Sequence, residues 1–449
     1  MMYKAFGSCL LAIALTVLSA GRARAVVFTL SGPTPESAGM DLGSTSALYA
    51  STRDGAVVLI ARVGAVAPDG GEFTELGVPS ISPDGTVVFG AETRGIDDRP
   101  VWDIYRADPS AAGDHRLSRV FDGALITDQC RPTFKVDPYP VMGGGGAIAF
   151  VAPAVSGPDA LFRYRGGRLD CLARIGDRTA RGNRIAMFNF GSLSIADDGE
   201  LAFLARLKGS SPLKSVRGRG SSRTAVMVAD QHSMMREVAL EGDPAPGAAR
   251  FTWMFSRPTI VQSRSGTSVA FANRSRSSVS VYRSRGKHLM RELITGVPTE
   301  LGALTYISDG KPALMDDGTL IIRGASGSLS AVFRVKDRKV ALVTQEGAVR
   351  QSGAQLVNFG DPSVTSAGAI FLGGYDQTGR GRLFVFDRED PEASVHPISE
   401  ITMLPDAMPP VFPGTIAVNG RGDFAFQGTP TTRDPIASRI LIRDTFGNM

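Results

Sequence analysis

The sequence predicts an all-β fold, a β-propeller of four-stranded blades, and three observations carry that prediction. A phrase of strand, Gly-centred turn and strand returns seven times, it returns at propeller spacing, and the composition suits a sheet protein with many tight turns. The first copy reads Ser82-Pro83-Asp84-Gly85-Thr86-Val87-Val88-Phe89. The others close at Phe150, Phe203, Phe271, Ile322, Leu372 and Phe426. Phe89 to Phe426 is 337 residues in six steps, a mean period of about 56, and strands alone at that period are the signature of a propeller. Glycine and proline, 52 and 27 of 449 residues, supply the turns, while a hydrophobic fraction of 43% is ordinary for a packed core.

Each element of the unit has its own signal. An alternating strand precedes the turn, as at Val78–Ile81 and Ser192–Ile195, and the strand after it ends on the recurrent Phe or aliphatic. A polar loop of variable length leads to a third strand, seen at Asp103–Arg106, Leu161–Tyr164, Ala225–Val228, Val279–Tyr282, Ala331–Arg334 and Leu383–Phe386. A fourth follows, typified by Leu169–Arg174 and Val340–Val343. Period-two alternation of β-branched and aromatic residues between Gly, Asp and Asn is the strand pattern. The Asp-Gly pairs at Asp84, Asp198 and Asp317 read as hairpin turns in which both central residues can take positive φ. They lack the ladder of oxygen ligands and the closing Glu of a calcium loop. The recurrent Phe reads as a core residue where successive blades pack face to face.

Seven inner-strand pairs are visible. The strands around Ala47–Tyr49 and Val57–Ala61 look like an orphan outer pair, and joining them to the last inner pair at Phe426 closes a ring of seven. Seven is the preferred count; eight follows if Val26–Leu30 is itself an inner strand. Val26–Leu30 and Ile440–Arg443 are otherwise left over and available for closure.

Residues 1–25 read as a signal peptide: Lys4 makes a positive n-region, Cys9–Ser19 an apolar run too short to span a bilayer, and Ala23-Arg24-Ala25 a cleavage site. The expected mature chain is a single domain, 26–449, secreted or periplasmic. The discarded segment holds three of the 49 basic residues and no acid, leaving 46 against 44. A balance so near neutral predicts no nucleic-acid binding by bulk electrostatics. Cys130 and Cys171 remain, an even pair that in an oxidising compartment is a candidate disulfide, with two buried thiols as the alternative.

Asn419-Gly420-Arg421-Gly422-Asp423-Phe424-Ala425-Phe426 resembles, residue by residue, the Asn-x-x-Gly-x-x-Ala-Phe tandem repeat of a group of exported bacterial proteins. The phrase Gly242-Asp243-Pro244-Ala245-Pro246-Gly247 resembles that group's connector between repeats, with Ala173–Asp177 a partial copy. Most copies here are degenerate, Ser82, Ala196 and Met315 standing where the motif has Asn. The resemblance implies a propeller-like fold and no particular reaction.

Catalytic constellations are hard to find. His115, His232, His288 and His396 are scattered over different repeats, and no HExxH helix, nucleophile elbow or P-loop occurs. The run Gly143–Gly146 lies at a strand-to-strand turn with no helix behind it. Asp97-Asp98 and Glu389-Asp390 read as solvated loop charges. No metal site and no cofactor is expected.

One loop rises above this background. Arg206, Lys208, Lys214, Arg217, Arg219 and Arg223 lie in and around the loop between the second and third strands of the Phe203 repeat, with no acid among them. The matching loop of the next repeat carries Arg274 and Arg276. Such loops share a propeller face with the blade-to-blade connectors, so the two are expected to form one basic patch. The leading expectation is therefore a non-catalytic binding or scaffold module of the cell envelope, monomeric. Its partner would be an anionic polysaccharide, lipopolysaccharide or a protein, and no specific nucleic acid. The alternative is a polysaccharide lyase or hydrolase at the axial channel mouth, with Asp177 and Asp243 in equivalent connector positions as its candidates.

Overall fold

The computed structural model describes residues 26–27, 47–51, 57–95, 99–111, 117–121, 125–126, 131–133, 138–155, 157–209, 222–247, 250–252, 254–263, 266–308, 310–348, 355–365, 368–377, 381–386, 399–402, 416–419 and 421–428. Among them strands are the rule, relieved by one 3-10 turn at Gly144–Gly146, and no helix is long and apolar enough to cross a membrane. Seven separate antiparallel sheets form a seven-bladed propeller. Their innermost strands neighbour one another in chain order, and the seventh returns to the first.

Blade 3 shows the plan. Its innermost strand is broken into Arg184–Phe188 and Ser194–Ile195, both paired to Leu201–Lys208, which pairs to Ser222–Ala229 and that to Met235–Leu240. Blades 1, 5 and 6 have the same broken inner strand. Antiparallel pairing puts the Gly-centred turn at one end of each blade and the loop between second and third strands at the other. Strand Leu201–Lys208 is apolar on both faces through Ala205 because each blade is covered on both sides by neighbours, so the alternation expected of a half-solvated sheet gives way in the middle strands.

The core is accordingly seven cores, one between each pair of successive blades. Phe89, Phe150, Phe203, Phe271, Ile322 and Leu372 are all fully buried in them. Truncating one such Phe to Ala is worth about 3–5 kcal/mol. A register shift recurs at one place on the third strand: between Leu161 and Phe162, Val226 and Met227, Val281 and Tyr282, and Val332 and Phe333. A bulge there sharpens the twist and fans the outer strand away from the axis.

The seventh blade joins the two ends of the chain. Ala417–Val418 and Phe424–Gly428 are its inner strands, Ala47–Ser51 and Val57–Arg62 its outer ones, and Tyr49 lies opposite Phe426. Val26–Val27 is no inner strand; it adds in parallel to Ser399–Thr402 on the outside of blade 6. Ile440–Arg443 lies outside the described residues.

The Asp-Gly turns need one correction. Only the glycines are left-handed, Gly85, Gly199 and Gly318 at φ 90, 91 and 85°, and the aspartates keep negative φ. In blade 1 Gly85 N–H reaches Ser82 O at 3.0 Å and Ser82 N–H reaches Thr86 O at 2.9 Å, a tight turn followed by a glycine bulge. Each aspartate instead accepts the N–H two residues on, at Thr86, Glu200 and Thr319.

Candidate functional site

The seven inner strands enclose an axial channel of 650 Å³. Its wall is set by position along the inner strand. At the level opposite the residue before each recurrent Phe or aliphatic stand Ser, Thr, Ala or Val, and the four hydroxyls among them tie one blade to the next. Ser80 accepts from Met142 N–H at 3.0 Å and Ser194 from Ile260 N–H at 3.3 Å. Thr259 donates to Pro312 O, and Ser363 to Ile416 O at 2.6 Å. One step further along comes a belt of aliphatic side chains, one per blade, from Ile81 to Val418.

Two rims bound this belt. Two residues before the hydroxyl level lie Val78, Tyr139, Arg257, Lys311 and Asp361, each directly followed by proline. Proline suits an edge strand that faces a channel, because it has no N–H to leave unpaired. Three residues after the hydroxyl level lie Pro83, Asp197, Gln262 and Asp316. Five residues of strand separate the rims, roughly 16 Å at about 3.3 Å each. The first rim is on the side of the second-to-third-strand loops, the second on the side of the Gly-centred turns.

The rims differ in charge. On the first, Asp361 is already engaged: Arg323 Nε lies 3.1 Å from its Oδ1 and Ser308 donates to it at 3.0 Å. Gly310 has no room for a Cβ, which would meet that carboxylate. Arg257 and Lys311, on adjacent blades, make no side-chain hydrogen bond or ion pair among the described residues. Burial, and then the charge of Arg257, push the Lys311 ammonium down to about 8. Lys311 is half-buried and lines the channel. Tyr139 holds a left-handed φ of 45°, and Gly191 accommodates its ring. On the second rim, burial raises Asp197 and Asp316 above the usual carboxylate range, helped by Asp198 at the first and by Asp197 and Asp317 at the second. The glycine run of blade 2 packs here: a Cβ at Gly144 would meet Asp197 O at 2.3 Å. No group of three His, Cys, Asp or Glu suited to a metal occurs among the described residues.

The cations expected to form one patch occupy several surfaces. Arg206 and Lys208 are exposed and share the strand face of Ala202 and Leu204, which packs on blade 4. Arg223 is on the opposite face, paired with Leu207, and lies 3.9 Å from Asp243. Arg274 turns toward blade 5, its guanidinium 5.4 Å from the centre of the Tyr306 ring, while Arg276 is exposed in its loop. Lys214, Arg217 and Arg219 lie outside the described residues, as does Cys130. Cys171 is half-buried, with Arg174 Nε 3.3 Å from its sulfur.

Asp177 and Asp243 are connector residues. Asp177 accepts Arg174 N–H at 2.8 Å, Asp243 pairs with Arg181 at 2.5 Å, and neither lines the channel. The rim residues Arg257 and Lys311 were missed in the sequence. A residue followed by proline recurs on five blades, the proline ten residues before the closing Phe or aliphatic on four of them and thirteen before Phe271, and that recurrence is their signal.

The model of a family of unknown function matches residues 108–448. No curated protein matches the chain. Among solved structures, a variant of the isopeptidase AtxE2 with astexin3-dC4 bound is 12% identical at a TM-score of 0.28 over 78% of this chain, which spans 57% of the isopeptidase. A mutant lectin of Aleuria aurantia in complex with α-methyl-L-fucoside is 7% identical at a TM-score of 0.32, covering 70% of this chain and 92% of the lectin. A luciferin-regenerating enzyme is 8% identical at a TM-score of 0.30, covering 80% and 93%. At these scores none of them bears on what this chain binds or does.

Proposed function

The chain belongs to that family, DUF7453, whose function is unknown, and from this premise we propose that it is an exported binding propeller that captures an anionic polymer on its loop face. The observation that carries the reading is the set of exposed cations at the second-to-third-strand end of blades 3 and 4. Arg206, Lys208 and Arg276 make no ion pair among the described residues, so their charge is available to a partner. Exposed charges of this kind attract polyanions over about a Debye length and release them in salt. The N-terminal Lys4 and apolar run support export, and an acidic envelope polysaccharide or lipopolysaccharide is the partner class that fits.

The test is binding of dextran sulfate and polygalacturonate at low and high salt, with the parent chain and with Arg206→Ser, Lys208→Ser and Arg276→Ser combined. The triple variant is expected to bind roughly tenfold more weakly at low salt and to lose most of its salt dependence. Unchanged binding overturns the reading. A lyase or hydrolase remains the second reading, favoured by Asp197 and Asp316 on the turn-side rim, whose raised pKa values suit proton transfer. Chain cleavage of polygalacturonate that disappears in Asp316→Asn would establish it in place of the first.

A further inference from the structure

We infer that Arg257 and Lys311 form, on the loop-side rim of the axial channel, a binding site for the oxyanion group of a small ligand, a carboxylate or a phosphate. The site is distinct from the exposed loop cations and does not depend on them. Two positive charges on neighbouring strands that line a channel, with no ion pair to a carboxylate among the described residues, are an unfavourable arrangement for a fold to keep. The cost falls when an anion sits between them. The carboxylate on the same rim is held by Arg323 and Ser308, and those of the far rim stand roughly 16 Å away along the strands. Neither acts as the counter-ion.

The geometry also fits a ligand larger than a bare ion. The channel volume of 650 Å³ lies in the range of small-molecule sites, and an aliphatic belt lies three residues further along the wall, past the hydroxyl level. A fork of guanidinium donors beside a flexible ammonium is the combination that holds a carboxylate or phosphate at several oxygens. Both residues precede proline, which disfavours helical backbone there, and both stand at one level of the wall.

The experiment is thermal unfolding of the full chain titrated with inorganic phosphate and, separately, with glucuronate. Parent protein is compared with Lys311→Met, Arg257→Met, Lys311→Arg and the triple loop variant. Expected are a saturable rise in Tm with at least one anion, its loss in both Met variants, and its retention in Lys311→Arg and in the loop variant. The stronger of the two anions then tells phosphate-bearing from carboxylate-bearing ligands. Lys311→Met is also expected to raise the Tm of the anion-free protein, since it removes a desolvated charge. A rise that persists in both Met variants overturns the site, as does no saturable response to either anion. A response lost only in the loop variant places the anion on the outer face and also overturns it. Failure of polymer binding with this response intact overturns the loop-face reading alone.

Discussion

Lys311 is the residue whose chemistry departs furthest from its type. Its ammonium is pushed from an ordinary 10.5 down to about 8, first by burial and then by Arg257. Among the described residues, Arg257, Asp361 and Arg323 are the charged groups around it, and Asp361 is paired with Arg323. A folded pKa below the unfolded one means the unfolded chain holds more protons between about 8 and 10.5, so stability rises with pH across that window. Below about 8 both states are protonated and the full penalty stands. Lys311→Met is therefore expected to flatten the rise in Tm between those pH values, read as the difference between variant and parent melts. At the turn-side rim the sign is opposite for the raised carboxylates. Asp316→Asn is expected to gain Tm at pH 7 and to lose that advantage once the pH falls below the ordinary Asp value of 3.8. The recurrent residue-proline pair is legible in the sequence, but which of these residues meet is not. Gly-Lys-Pro and Ser-Arg-Pro are unremarkable tripeptides until the ring brings them to one level.

At the scale of the element, the repeat motif has a mechanical explanation in its one complete copy. Asn419 Oδ1 accepts the N–H groups of Arg421 and Asp423, each at 3.0 Å, closing its own hairpin. Its Nδ2 donates across the ring closure to Ser82 O at 2.9 Å. Degenerate copies keep part of this: Thr365 Oγ1 accepts Ala369 N–H at 3.0 Å, and Ser82 donates to Thr86 O at 3.1 Å. Asn419→Ala leaves buried partners unsatisfied and is expected to cost about 2–4 kcal/mol in denaturant unfolding. A hairpin elsewhere runs against local preference. Asp337 and Arg338 both hold positive φ, 50 and 63°, in the two-residue turn where Lys336 pairs with Lys339. Arg338→Gly makes this the favoured Asp-Gly turn and is expected to add about 1 kcal/mol to stability by the same measurement. The period-two strands and Gly turns were readable in advance because each is fixed by neighbours within a few residues. The negative φ of the aspartates was not, since the turn type depends on the bulge that follows.

The whole molecule depends on closing the ring. Ala50 and Ala425, from opposite ends of the chain, lie side by side with no exposed surface, and Ser51 Oγ accepts Phe424 N–H at 2.8 Å. Among the described residues the cores lie between blades, so an unclosed ring leaves two apolar faces in water. A chain ending at residue 415 is expected to lose cooperative thermal unfolding and to elute as aggregate in size exclusion. The sequence by itself determined the blade: its strands, its turns, its period and its buried Phe, because those follow from patterning within about 56 residues. Its count of seven followed once the N-terminal strands were read as a half-blade. Only the tertiary structure decided where the charges went. It placed Arg206 and Lys208 on one face, turned Arg274 toward blade 5, and tied Asp177 and Asp243 into connectors. It also brought Arg257 and Lys311 together on the rim. A side chain's direction is set by strand parity and its neighbours by ring order, and neither is visible until every blade is in its place.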